Sequence, residues 1–150
     1  MRIAEELATE YWHLRWQAWR KMCVIAHDYR IKVDLWYLGE YGSCLWAAPS
    51  GWRIAINLDE APTRRKFSFA HELGHFFLHR NHTRAHFFSC TGQASPRKER
   101  EANQFAASLL MPEALILHMA DAGYCHNDTA RILGLSAEAV SIRYQTLRVI

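Results

Sequence analysis

His71-Glu72-Leu73-Gly74-His75 sits inside an apolar run, with Phe67-Ser68-Phe69-Ala70 before it and Phe76-Phe77-Leu78 after it. Four residues advance a helix by about 6 Å and turn it about 40° beyond one revolution, so both imidazoles can converge on a single ion. Glu72 falls off that line, close enough to take a proton from a metal-bound water and poorly placed to be a ligand itself. Exposed histidines would be hard to explain on so apolar a helix, so the pentapeptide reads as a zinc site with Glu72 as its general base.

A catalytic zinc usually takes three protein ligands and keeps a fourth position for water. Ser95-Pro96 opens a second helix, with Ser as N-cap and Pro at its first position, running to about Met111-Pro112. Glu99 and Glu101 both lie in its first turns, two residues and therefore about 200° apart. Glu99 shares its face with Ala102, Phe105, Ala106 and Leu109. That face makes Glu99 the third ligand and Glu101 a solvated residue. Cys90 is the rival ligand. Asn103, one turn after Glu99, is either a hydrogen-bond partner of a ligand or plain surface. His79 continues the His71-His75 line and is read as a histidine at a helix end, with a contact to the site as the alternative.

The chain of 150 residues has a formal net charge of +3 and is half hydrophobic, which suits one domain able to bury a core. It contains no run of the roughly 20 apolar residues that a membrane helix needs. Glu5, Glu6 and Glu10 interrupt the N-terminal apolar residues, unlike a signal peptide. The four cysteines are scattered without a Cys-x-x-Cys pair, so free thiols in a reducing cytoplasm are expected.

Residues 3–27 carry an imperfect helical stripe. Ile31 to Trp36 alternates with period two, and Ser43 to Ala47 and Trp52 to Asn57 read as further strands, the last two joined by Pro49-Ser50-Gly51. Pro62-Thr63 opens the motif helix, which runs to His79 or Arg80, and 81–91 reads as a loop. The stretch 113–150 reads as short helices broken at Gly123 and Gly134. The expected class is α+β, a small, mostly antiparallel sheet of about three strands packed with the two zinc-site helices.

Phe69-Ala70-His71-Glu72-Leu73-Gly74-His75-Phe76-Phe77-Leu78-His79, followed by Glu99-Arg100-Glu101-Ala102-Asn103-Gln104-Phe105-Ala106-Ala107-Ser108-Leu109-Leu110-Met111-Pro112, resembles the ImmA/IrrE family of zinc metallopeptidases. The resemblance implies a minimal thermolysin-like (gluzincin-like) core. It also implies zinc held by His71, His75 and Glu99, and Glu72 as base. One metallopeptidase domain would then cover 1–150, with an N-terminal helical segment (1–29), the sheet and zinc-site helices (30–112) and C-terminal helices (113–150). Members typically cleave, or cause cleavage of, helix-turn-helix repressors of prophages, mobile elements or stress regulons. A cytoplasmic protease with such a repressor as partner is the expectation, without a large C-terminal sensor domain of the IrrE kind. A substrate strand is expected to lie beside Trp52–Asn57.

Two other functions compete. Sequestering the repressor without cutting it needs the same metal site. A DNA-binding regulator is suggested by Asp128 to Leu133, the Gly134-Leu135-Ser136 turn and Ala137 to Leu147, which resemble a helix-turn-helix. From His126 onward, however, Arg131, Arg143 and Arg148 face only Asp128 and Glu138, a net of +1. That is too little for a phosphate-reading surface, and packing against the zinc-site helices accounts better for this pair.

Overall fold

The computed structural model describes residues 2–82, 87–89 and 95–149. Its helices are α1 (Arg2–Glu10), α2 (Ala18–Asp28), α3 (Pro62–His79), α4 (Pro96–Leu110), α5 (Glu113–Asp121), α6 (His126–Leu133) and α7 (Ala137–Leu147). Its strands are β1 (Lys32–Trp36), β2 (Cys44–Ala48), β3 (Gly51–Asn57) and β4 (Phe87–Ser89). The N-terminal stripe is thus two helices, separated by a 3-10 turn at Trp12–Leu14. The imperfect stripe over 3–27 allows one long helix or two shorter ones, and the structure has two.

The strands form one mixed sheet in the order β1-β3-β2-β4. A two-residue turn at Pro49-Ser50 makes β2 and β3 antiparallel, Ala48 pairing with Gly51, whose φ of +126° suits a residue without a Cβ. β1 adds to the far side of β3 in the parallel direction, Lys32 opposite Arg53 and Trp36 opposite Asn57. Arg53 closes that pair with a 2.6 Å salt bridge to Asp34. β4 pairs antiparallel with β2, so two of the three pairings are antiparallel, as expected, and one is not. Trp52–Asn57 is flanked on both sides and cannot accept another strand, which corrects the expected substrate position. Alternation identifies a strand but does not say whether it lies at an edge.

Ile54 and Ile56 on β3 and Leu45 on β2 are buried in one cluster with Phe69 and Leu73 of α3 and Phe105 and Leu109 of α4. On the N-terminal side, Met22 and Ile25 of α2 join that cluster, and Trp19 meets Phe69 edge-on at 5.2 Å. Among the described residues, no helix is long and apolar enough to cross a membrane. Cys23 and Cys125 are free thiols, whereas Cys44 is disulfide-bonded, against the expectation of free thiols throughout. Spacing along the chain carries no information about contacts between distant segments.

The C-terminal pair packs on the helices that carry the motif, as its low charge suggested. Ser136 caps α7 by accepting from Ala139 N at 3.1 Å. Lys66 of α3 donates to Gly134 O at 3.0 Å, and Arg143 of α7 donates to Met111 O at 2.9 Å.

Lys21 of α2 also donates to the C-terminal end of α4, at Leu109 O, 2.6 Å away. It is only 1% exposed, and burial lowers its pKa from the ordinary 10.5 to about 8, with Glu5 opposing the shift. Between those two values the unfolded chain holds a proton that the folded chain has released, so stability rises with pH across the window. Urea unfolding of the native chain and Lys21→Met at pH 7 and pH 10 should show the native chain gaining on the variant by on the order of 3 kcal/mol. A difference that is flat across this range would mean that the ammonium is not desolvated.

Candidate metal centre

The site begins with the contact between α3 and α4. A Cβ on Gly74 would stand 3.1 Å from the Ala102 backbone and from Phe105 Cβ, tighter than nine in ten Cβ contacts, so glycine suits this close approach of the two helices. Ala102, Phe105, Ala106 and Leu109 are all buried, and Phe77 stacks on Phe105 with centroids 5.7 Å apart. Glu99 is carried to the motif helix on the face that those four residues define. The N-cap is as expected, with Ser95 Oγ accepting from Lys98 N at 3.3 Å.

His71 Nε2 and His75 Nε2 are 3.1 Å apart. Glu99 brings Oε1 to 3.0 Å from His75 Nε2 and Oε2 to 3.1 Å from His71 Nε2. Two ligand atoms at ordinary zinc distances around a tetrahedral ion stand about 3.3 Å apart, so the three side chains have the spacing of a ligand set. They form a group that could hold a metal ion.

The outer ring nitrogens strengthen that fit. His71 Nδ1 is 2.8 Å from Asn103 Oδ1, an acceptor only, so Nδ1 carries a proton and donates outward while Nε2 faces His75 and Glu99. His75 Nδ1 is 2.9 Å from His79 Nδ1. Burial, and then the neighbouring His71, His79 and Lys98, push the His75 pKa down to about 3, so its imidazole is neutral. A neutral ring is what a metal requires of a histidine. Glu72, between the two histidines in sequence, is 3% exposed.

The structure brings together His71, His75, Glu99 and Asn103 as the sequence indicates, and it corrects two neighbours. His79 is 3% exposed and hydrogen-bonded inside the site, not merely at a helix end. Glu101 is not simply solvated, because its Oε2 lies 2.9 Å from His79 Nε2 and its Oε1 accepts from Arg97 Nε at 2.8 Å. Helical facing placed the Cα correctly but ignored the reach of a long side chain steered by a cation one turn earlier. The uninterrupted His71-His75-His79 line was the available signal. Cys90 lies outside the described residues.

A helix-borne His-Glu-x-x-His completed by a carboxylate from a second helix, beside a small mixed sheet, defines the metallopeptidase class of site. The peptidase M78 family model, described as the IrrE N-terminal-like domain, matches residues 36–145, and the chain belongs to that family. It is 27% identical over 96 residues to Metallopeptidase ImmA of Bacillus subtilis (strain 168). That match takes in 64% of this chain and 55% of the relative, so the chain spans about half the length of the protein it resembles.

If the Gly74 contact sets the spacing of the donor atoms, Gly74→Val forces the helices apart. The variant should unfold at least about 1–3 kcal/mol more easily, the usual cost of overpacking, and bind zinc more weakly. Urea unfolding and metal content after dialysis measure the two effects. Unchanged values for both would show that the contact has slack.

Proposed function

We propose that the chain is a zinc-dependent metalloendopeptidase whose substrate is a protein, a helix-turn-helix transcriptional repressor of a prophage, mobile element or stress regulon. The observation that carries the proteolytic reading is the convergence of three donors, with His71 Nε2 3.1 Å from His75 Nε2 and 3.1 Å from Glu99 Oε2, and His75 Nε2 3.0 Å from Glu99 Oε1, on a helix that also carries the buried Glu72. Family membership supports it. The two motif blocks that resemble ImmA/IrrE proteins support the repressor as substrate. That substrate would place the encounter in the cytoplasm. The buried cluster running from Ala4 in α1 to Tyr144 in α7 supports reading 1–150 as one metallopeptidase domain.

His71, His75 and Glu99 would hold the zinc. Bound there, it supplies Lewis-acid polarisation and an acidified water. The chain's own part is proton transfer and orientation. The Glu72 carboxylate takes the proton of the attacking water and returns it to the nitrogen of the departing amine. Asn103 Oδ1 accepts from His71 Nδ1–H and so keeps that ring facing inward.

Two substitutions separate the roles. Glu72→Gln should keep its zinc and its fold while cleavage of the repressor falls by at least about 10²-fold, the usual contribution of a general base. Glu99→Ala should lose zinc on dialysis. Metal content and a cleavage assay with a chelator control read both. Unchanged cleavage by Glu72→Gln would overturn the assigned chemistry. An intact repressor held in a zinc-dependent complex by the native chain would replace proteolysis with sequestration.

A further inference from the structure

Two polar side chains beyond the proposed ligands form a line that ends on one of them. His75 is fully buried, and its Nδ1 lies 2.9 Å from His79 Nδ1. His79 Nε2 lies 2.9 Å from Glu101 Oε2, and the other Glu101 oxygen accepts from Arg97 Nε at 2.8 Å. The line crosses from α3 to α4. His75 and His79 come from the motif helix, while Glu101 and Arg97 come from the helix that supplies Glu99.

The directions of these hydrogen bonds follow from donor chemistry. A carboxylate only accepts, so the His79 proton facing it lies on Nε2. With the ring's one proton on Nε2, His79 has a lone pair on Nδ1, which can only accept. His75 can then donate from Nδ1–H, which would leave its Nε2 with the lone pair on the side of His71 and Glu99; Glu99 Oε1, 3.0 Å from that Nε2, is the competing acceptor for the same proton. A line through His79 to Glu101 that wins this proton keeps it off His75 Nε2, where a ligand needs none. We propose that His79 and Glu101 are positioning residues that fix the tautomer and ring orientation of His75, so that its Nε2 is held ready as a metal ligand.

The inference rests on the proposed zinc site but makes a separate claim. It assigns functions to a histidine and a glutamate outside the ligand set, and it explains why α4 carries two glutamates two residues apart. Glu99 supplies a donor atom directly, and Glu101 acts at one remove through His79. Asn103 performs the matching service for His71, so both rings are oriented by hydrogen bonds that reach α4, one directly and one through His79.

The test uses the full-length chain as His79→Ala, His79→Gln, Glu101→Ala and the double variant His79→Ala/Glu101→Ala. Zinc affinity is measured by chelator competition and folding by urea unfolding, and the His75 tautomer is read from ¹⁵N NMR of the metal-free protein. A glutamine at position 79 can still accept from His75 and donate to Glu101, so His79→Gln should retain most of the affinity. His79→Ala and Glu101→Ala should each weaken zinc binding about 10- to 100-fold, the usual range for partners of a ligating histidine. Because the two act in series, the double variant should lose no more than His79→Ala alone. The native chain should hold His75 as the Nδ1–H tautomer, and His79→Ala should release it to a mixture.

Native affinity in both single variants, or losses that add in the double variant, would overturn the inference. So would equal losses in His79→Gln and His79→Ala, or an unchanged tautomer in His79→Ala. The zinc-site reading fails differently. A native chain that keeps the Nδ1–H tautomer but binds no zinc would sink the peptidase reading and leave the positioning pair standing.

Discussion

The backbone of α3 meets the backbone of α4 at Gly74 and Ala102, and every other feature of the site depends on that contact. A Cβ at position 74 would crowd main-chain atoms of Ala102 at 3.1 Å, and the helices would have to give by a few tenths of an ångström to admit it. The close approach also brings Phe105 and Leu109 into the core, each contributing about 1.5–3 kcal/mol by burial. Glutamate spans only a few ångströms from Cα to carboxylate. With the helices further apart, Glu99 would not reach both histidines, and Glu101 would not reach His79. One residue without a side chain thus connects core packing to the spacing of donor atoms.

The position of α4 is set from several directions. Its C-terminal carbonyls accept from Lys21 of α2 at Leu109, and the following Met111 carbonyl accepts from Arg143 of α7. Cations at this end of a helix also complement its dipole. Arg143 reaches Glu5 of α1 as well, at 3.4 Å, so elements from both ends of the chain meet where α4 ends. The Lys66 bond to Gly134 O ties the start of α3 to the turn between α6 and α7. The terminal helices therefore have a definite mechanical role: they hold the axis of the helix that presents Glu99.

What could be read in the sequence was local or periodic. The spacing of His71 and His75, the Ser95-Pro96 cap and the face shared by Glu99, Ala102, Phe105, Ala106 and Leu109 are properties of a single helix, and each holds in the structure. What could not be read depends on partners distant in the chain. Nothing in Trp52–Asn57 shows that β1 pairs on one side while β2 occupies the other. Phe87–Ser89 is too short to display alternation, and the sequence presents it as loop. Glu101 departs from its helical face because Arg97 and His79 draw its carboxylate, a competition between side chains that Cα geometry does not contain.

The electrostatics of the site favour chemistry over simple storage of an ion. A divalent cation held by His71, His75 and Glu99 would receive one negative charge from the carboxylate and keep one unit of positive charge. A set of thiolates would cancel that charge. Burial keeps the His75 ring neutral, and His71 and His75 both have hydrogen-bond partners at their outer Nδ1 atoms. Glu101 balances Arg97, and both sit outside the ligand group, so this pair adds little net charge to it. A metal held there would supply that charge to acidify a bound water, and under the proposed mechanism Glu72, 3% exposed, would be the base that takes its proton.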